Sequence, residues 1–217
     1  MTDTPLLDRR LDDLSERVRA TFTAKHQARE RALSLCRDVI RHAALTIRAV
    51  HRGEAGPARG LLAAARDRLA EARAAVADHT DIYHAGFIHD AQKEFAEASL
   101  TLALVEGEAI PLPEDLDVEY AAYLNGMGEA VGELRRYVLD SLRHGDMERC
   151  ERLLGVMDDI YALMVTIDYP DAITGGLRRT TDVTRGILER TRGDLTMAAR
   201  QNDLERRLAR FESMLAR

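Results

Sequence analysis

The sequence predicts an all-α protein, an antiparallel bundle of about six to seven long helices, and three observations carry that prediction. Ala, Leu, Arg and Glu abound, aromatic residues make up 5% and Trp is absent, which favours side chains that lose little rotamer freedom in a helix. Five prolines and 14 glycines in 217 residues leave few chain breakers, so the elements between them are long. Apolar residues recur at three- and four-residue spacing with charges between them, the period of a helix buried along one side.

The first helix is expected from Leu6 to about Arg52, on the pattern Leu11, Leu14, Val18, Phe22 and then Leu33, Val39, Leu45 and Val50. His51-Arg52-Gly53 and Gly56-Pro57 end it. A second follows from Pro57 to about Asp78, with Leu61, Leu62, Leu69, Ala72 and Val76 on its apolar side. A third is expected from Thr80 through Val105. The prolines of Gly107–Pro113 make that stretch the clearest linker, because they cannot continue a helix. Asp117 is the expected N-cap of a fourth helix running to His144, where Gly145-Asp146 turns the chain. A fifth covers Met147 to Ile167, Tyr169-Pro170 and Gly175-Gly176 interrupt the pattern, and a last helix runs from Leu177 to the end. No repeat, low-complexity tract or strand pattern intervenes, and 1–217 reads as a single domain. With 46% hydrophobic and 31% charged residues, it can bury a sizeable core.

Charge and motifs exclude several classes of function. A net charge of −6 argues against a simple polycationic nucleic-acid binder, though not against a local basic surface. Lysine occurs only at Lys25 and Lys93, so arginine supplies nearly all of the 31 positive charges. Two cysteines, Cys36 and Cys150, make neither a disulfide framework nor a metal cluster. The opening MTDTPLLDRR lacks a signal-peptide apolar run, and no uncharged apolar stretch of about 18 residues occurs. A soluble cytoplasmic protein without membrane association is the expectation. There is no phosphate-binding glycine loop, no Cys-x-x-Cys, no nucleophile elbow, no Glu-x-x-His and no zinc-spaced histidine pair. Carboxylates remain as the main carriers of any catalysis.

Two acidic pairs stand out. In the expected third helix Phe87, Ala91, Phe95, Ala98, Leu102 and Val105 form one apolar arc at about 100° per residue. Glu94 falls at the edge of that arc, and Glu97 lies one turn on and beside it. A carboxylate on a packing face is costly unless it is paired or holds a cation. Ligation of Mg²⁺ or Mn²⁺ is one reading, and a structural ion pair with an arginine is the other. The second pair, Glu129 and Glu133, shares a face at a four-residue spacing, opposite the seam Leu124, Met127, Val131, Leu134 and Val138. Solvated acids would look the same. Gly126, Gly128 and Gly132 each cost the helix about 1 kcal/mol against Ala, which suggests close approach of another helix or a ligand. Lys25, Arg29, Arg37, Arg41, Arg48, His51 and Arg52 of the first helix are candidate phosphate contacts, as are Arg178, Arg179, Arg185, Arg190 and Arg192 of the last. The alternative for each is an ion pair on a solvated surface. Apolar seams too long for one bundle to cover also suggest self-association.

Several of these segments resemble the translin family. Glu94-Phe-Ala-Glu97-Ala is similar to the Glu-Tyr-Val-Glu-Ala stretch of the translin-associated factor X (Trax) type. Tyr123-Leu-Asn-Gly126 through Gly132-Glu133-Leu-Arg-Arg, then Ser141 and Gly145-Asp146, resembles the family's second signature: Tyr-Leu-x-Gly, Asp-x-x-Gly-Glu-Leu, a Ser and Gly-Asp. Arg37-Asp38 and His51-Arg52-Gly53 are similar to the family's first helix, and Tyr169-Pro170 and Gly176-Leu177-Arg178-Arg179 resemble archaeal-type members. The resemblance spans nearly the whole chain. It implies a helical bundle assembled into a closed, hollow homo-octamer that encloses single-stranded RNA, with single-stranded DNA as the other candidate. For the Trax type it implies a Mg²⁺- or Mn²⁺-dependent endoribonuclease with Glu94, Glu97, Glu129 and Glu133 as metal ligands and catalytic residues. Glu129 stands where the family commonly has Asp, which keeps the charge and lengthens the arm by one methylene. Lys25, Arg29, Arg37, Arg41, Arg48 and His84 would then grip the RNA. A translin-like cage that binds nucleic acid without cutting it is the competing expectation.

Overall fold

The computed structural model describes residues 4–215, with side chains described for 8–214. Met1–Asp3 and Ala216–Arg217, included in the expected domain and last helix, lie outside the described residues. The described chain is helical and has no strand. Its elements are α1 (Thr4–His51), α2 (Ala55–Ala75), α3 (Thr80–Tyr83), α4 (Phe87–Glu106), α5 (Pro113–Leu116), α6 (Tyr120–Arg143), α7 (Met147–Val165), α8 (Asp171–Thr174) and α9 (Leu177–Leu215). The all-α expectation therefore stands, as six long helices and three of a single turn.

Two boundaries differ from the sequence reading. The expected third helix is broken into α3 and α4, because Gly86 adopts φ 102°, a conformation that a residue with a Cβ rarely tolerates. Asp117 caps no helix start. At φ 53° it closes α5, and α6 begins three residues later behind Glu119 in extended conformation. The linker hides that extra turn, since Pro113 is its first residue and the Asp115 carboxylate accepts the Leu112 N–H at 2.8 Å.

α4 lies at the centre and packs on α1, α2, α6 and α7, while α6 packs on α4, α7 and α9. Ile88, Phe95 and Leu100 of α4 are completely buried with Leu134 of α6 and Leu153 and Met157 of α7. Each such side chain contributes about 1.5–3 kcal/mol by leaving water. Small residues between them, Ala91, Ala96, Ala98, Ser99 and Ala103, let neighbouring helices close on α4 from several sides. The α6 seam Met127, Val131, Leu134 and Val138 is buried as the periodicity predicts. In α1 only the second half behaves so: Ala32, Cys36, Val39 and Val50 are buried, whereas Leu11, Leu14, Val18 and Phe22 are exposed. The far end of α9 matches it, with Met197, Leu204, Leu208 and Phe211 exposed.

Candidate carboxylate centre

The α4–α6 contact sets the site. A Cβ on Gly126 would lie 2.5 Å from the Lys93 carbonyl oxygen and 3.0 Å from the Glu97 nitrogen, so the two backbones touch where any larger residue would hold them apart. Gly128 meets the other neighbour, since its Cβ would lie 2.9 Å from Met164 Cε and would also clash with Thr180. Gln92, wholly buried, secures the start of α6 by accepting the Glu119 N–H at 2.9 Å and donating to the Tyr83 hydroxyl at 3.3 Å. With the helices held there, carboxylate oxygens of Glu94, Glu97 and Glu129 all come within 4.8 Å of one another. Glu97 is buried and the other two are half-buried.

Glu133, one turn further along α6, is placed differently. Its Oε2 lies 2.5 Å from His51 Nε2 of α1, with Arg136 Nη1 at 3.9 Å. The His51 hydrogen bond holds the Glu133 carboxyl below the usual carboxylate range despite partial burial. Lys93 enters the three-acid cluster, its Nζ 2.7 Å from Glu129 Oε1 and 3.6 Å from Glu94 Oε1. Burial works against that ammonium, but Glu129, Glu94 and Asp90 outweigh it and hold its pKa above the ordinary lysine value. Burial and the negative charges of Glu94, Glu129 and Glu133 push Glu97 up to about 8, with Lys93 opposing them. Glu94 is raised as well, first by burial.

The cluster opens on a cleft of about 690 Å³ between α4, α6 and α9. Lys93, Glu97 and Glu129 form one side, and Gly176, Arg179 and Thr180 at the start of α9 form the other. A smaller hollow that includes His84 shares His89, Asp90 and Gly175 with this cleft. His84 is exposed in that hollow. Among the basic residues expected to grip RNA, Lys25 pairs with Asp81 at 2.6 Å, Arg29 with Glu30 at 2.6 Å and Arg41 with Asp38 at 2.8 Å. Arg37 and Arg48 are exposed, and Arg48 lies one turn before His51. Of the α9 arginines, Arg178 pairs with Asp168, Arg185 with Asp182 and Arg192 with Asp158, so these three are surface ion pairs. Arg179 faces the cleft.

Sequence reasoning named His51 and Arg179 as phosphate contacts and gave no role to Lys93, His89 or Asp90. The signal available for Lys93 was its rarity, one lysine of two among 31 basic residues. His89, Lys93 and Glu97 also recur at four-residue spacing, which puts them on one face of α4.

Three carboxyl groups converging on one point, the most buried of them raised to about 8 by burial and its acidic neighbours, with a cation already drawn among them, make a donor set that suits a hard divalent ion. No helix among the described residues is long and apolar enough to cross a membrane.

A helical bundle with an acidic centre between its central helices is the class of protein these features define. No protein-family profile matches the sequence. Among solved structures, the chain superposes on AfC3PO with TM-score 0.75 and 36% identity, covering 88% of this chain and 97% of that one. It also superposes on AfC3PO in complex with duplex RNA, with TM-score 0.73 and 34% identity over 88% and 96% of the two chains. NeC3PO in its apo form, at 19% identity and TM-score 0.72 over 87% and 96%, shares the fold. An uncharacterized protein of Methanocaldococcus jannaschii is 28% identical over 193 residues, 87% of this chain and 84% of its own. The chain belongs to the translin/C3PO family.

Proposed function

We propose that this protein is an RNA-binding member of its family that cleaves single-stranded RNA in a divalent-metal-dependent endoribonuclease reaction within a homo-oligomer. The observation that carries the proposal is the convergence of Glu94, Glu97 and Glu129 oxygens within 4.8 Å, with Glu97 and Glu129 lining the cleft. RNA as the ligand class is supported by AfC3PO, a similar protein solved in complex with duplex RNA. Glu94, Glu97 and Glu129 would hold Mg²⁺ or Mn²⁺, and Glu133 would complete the set on exchanging its bond to His51. Bound there, such an ion supplies Lewis acidity to the scissile phosphate and lowers the pKa of a water. The protein's own part is to concentrate negative charge at that point, so that Glu97 takes its ionised form when positive charge arrives. Arg179 at the start of α9 would meet phosphate oxygens across the cleft, and the exposed Arg37, Arg48 and His84 would hold more of the RNA backbone.

A second reading has its own observation. Lys93 already satisfies Glu129 in the cluster, as it would in a binding cage that never cuts. Labelled single-stranded and duplex RNA, incubated with the purified protein in Mg²⁺ or in EDTA beside the Glu94→Ala/Glu97→Ala variant, separates the two. The expected outcome is metal-dependent cutting of the single strand, lost in the variant. RNA bound equally by both proteins and cut by neither leaves the binding cage as the function.

A further inference from the structure

Lys93 sits within the acid cluster and the proposed reaction does not use it, and its placement is constrained. Its carbonyl oxygen lies 2.5 Å from where a Cβ on Gly126 would be, so the α4–α6 contact fixes its backbone beside the α6 acids. Its side chain, 23% exposed, reaches back to Glu129 at 2.7 Å and Glu94 at 3.6 Å, two members of the acid cluster. The same side chain lines the cleft opposite Arg179. In a chain with 31 basic residues of which only Lys25 and Lys93 are lysine, this position carries the compact ammonium on a flexible stem, not a rigid guanidinium fork. Such a stem can change partners by rotating a few bonds.

We propose that Lys93 is a resident counter-ion of the carboxylate centre, displaced from Glu129 and Glu94 when a divalent cation binds and thereby turned into the cleft to hold an RNA phosphate. The proposal rests on the metal reading given above. Electrostatics favour the exchange, because the ammonium on Glu129 Oε1 and a divalent ion on the same carboxylates repel each other at close range. Once released, the ammonium still lines the cleft, where an RNA phosphate would offer it a charge-assisted bond in competition with Asp90. Metal binding and RNA binding are then coupled through one side chain, a positioning role that a permanent structural ion pair would not have.

Two lysines make the exchange directly visible. Protein grown with ¹³Cε-labelled lysine gives two side-chain signals, assigned with a Lys25→Arg variant. Titration with diamagnetic Mg²⁺ is expected to shift the Lys93 signal and leave Lys25, paired with Asp81 on the surface, in place. Calorimetric Mn²⁺ binding to the wild type, Lys93→Met and Lys93→Arg gives the second readout. Lys93→Met is expected to bind Mn²⁺ about tenfold more tightly, since one charge-assisted bond no longer has to be broken. With Ca²⁺ replacing Mg²⁺, it is expected to bind RNA more weakly, with a salt slope lower by about one. Lys93→Arg, which keeps the charge, is expected to stay within a few-fold of the wild type for Mn²⁺. A wild type that binds Mn²⁺ with no shift of the Lys93 signal and no gain in Lys93→Met overturns the exchange and leaves the metal reading standing. If wild type and Lys93→Met alike fail to bind Mn²⁺, the metal reading itself falls and the exchange with it.

Discussion

Glu97 shows how much one buried carboxyl group can decide. Its ordinary pKa of 4.5 rises to about 8 in the fold, through burial first and then the neighbouring carboxylates. Between those values the folded protein keeps a proton that the unfolded chain has released, so folding stability falls as pH rises through that window. At about 1.4 kcal/mol per pKa unit the penalty at pH 8 is on the order of a few kcal/mol. Melting curves are therefore expected to separate wild type from Glu97→Gln progressively from pH 5 to pH 8, with the variant the more stable at pH 8. Mn²⁺ is expected to raise the wild-type Tm more at pH 8 than at pH 6 and to leave the variant unmoved. A flat pH difference between the two proteins would remove the strained carboxyl from the account. At this scale the acids were legible from spacing and resemblance. Their separation into three converging groups and one held by His51 was not, because α1 reaches Glu133 from 82 positions away in the chain.

Among the elements, α4 and α6 carry the site, and their glycines divide into two kinds. Gly126 faces backbone at 2.5 Å, whereas the nearest atom to a Cβ on Gly132 is Ile187 Cδ1 at 3.8 Å. Gly126→Ala is expected to force the helices apart and cost about 1–3 kcal/mol, with loss of the carboxylate convergence. Gly132→Ala is expected to stabilise the protein by about 0.5–1 kcal/mol through helix propensity alone. Urea denaturation of the two variants checks both signs, and destabilisation of similar size in both would show that the helices do not meet at Gly126. The three glycines were readable as a sign of close approach. Which of them touches a neighbour depended on how α4 and α9 are rotated about α6. The break at Gly86 and the extra turn at Pro113–Leu116 escaped for a related reason: a helical pattern continues across a single left-handed residue, and two prolines mask a turn that starts with one of them.

For the molecule as a whole, the unexplained feature is the apolar surface at both ends of the chain. Leu11, Leu14, Val18 and Phe22 keep a regular three- to four-residue spacing while remaining exposed, as do Leu204, Leu208 and Phe211 on α9. Regular apolar spacing without an intramolecular partner fits contact between copies of the chain, as the resemblance to a closed assembly also implies. The wild type is expected to run as a multimer by light scattering, and Leu14→Asp/Phe22→Asp as a smaller species with the same helical content by circular dichroism. A monomeric wild type, or an unchanged mass in the variant, would remove α1 from any interface.

The sequence by itself determined the all-α class, the six long helices and which acids share a helix face, because helix period, chain breakers and residue chemistry are local properties. Resemblance extended that reading to the family. Only the tertiary structure decided that α4 is buried on several sides, that Lys93 occupies the acid cluster, and that half of α1 lies exposed. Those depend on which helices meet, at what rotation and how closely. Such quantities arise from packing between residues far apart in the chain, and the pattern within one helix does not contain them.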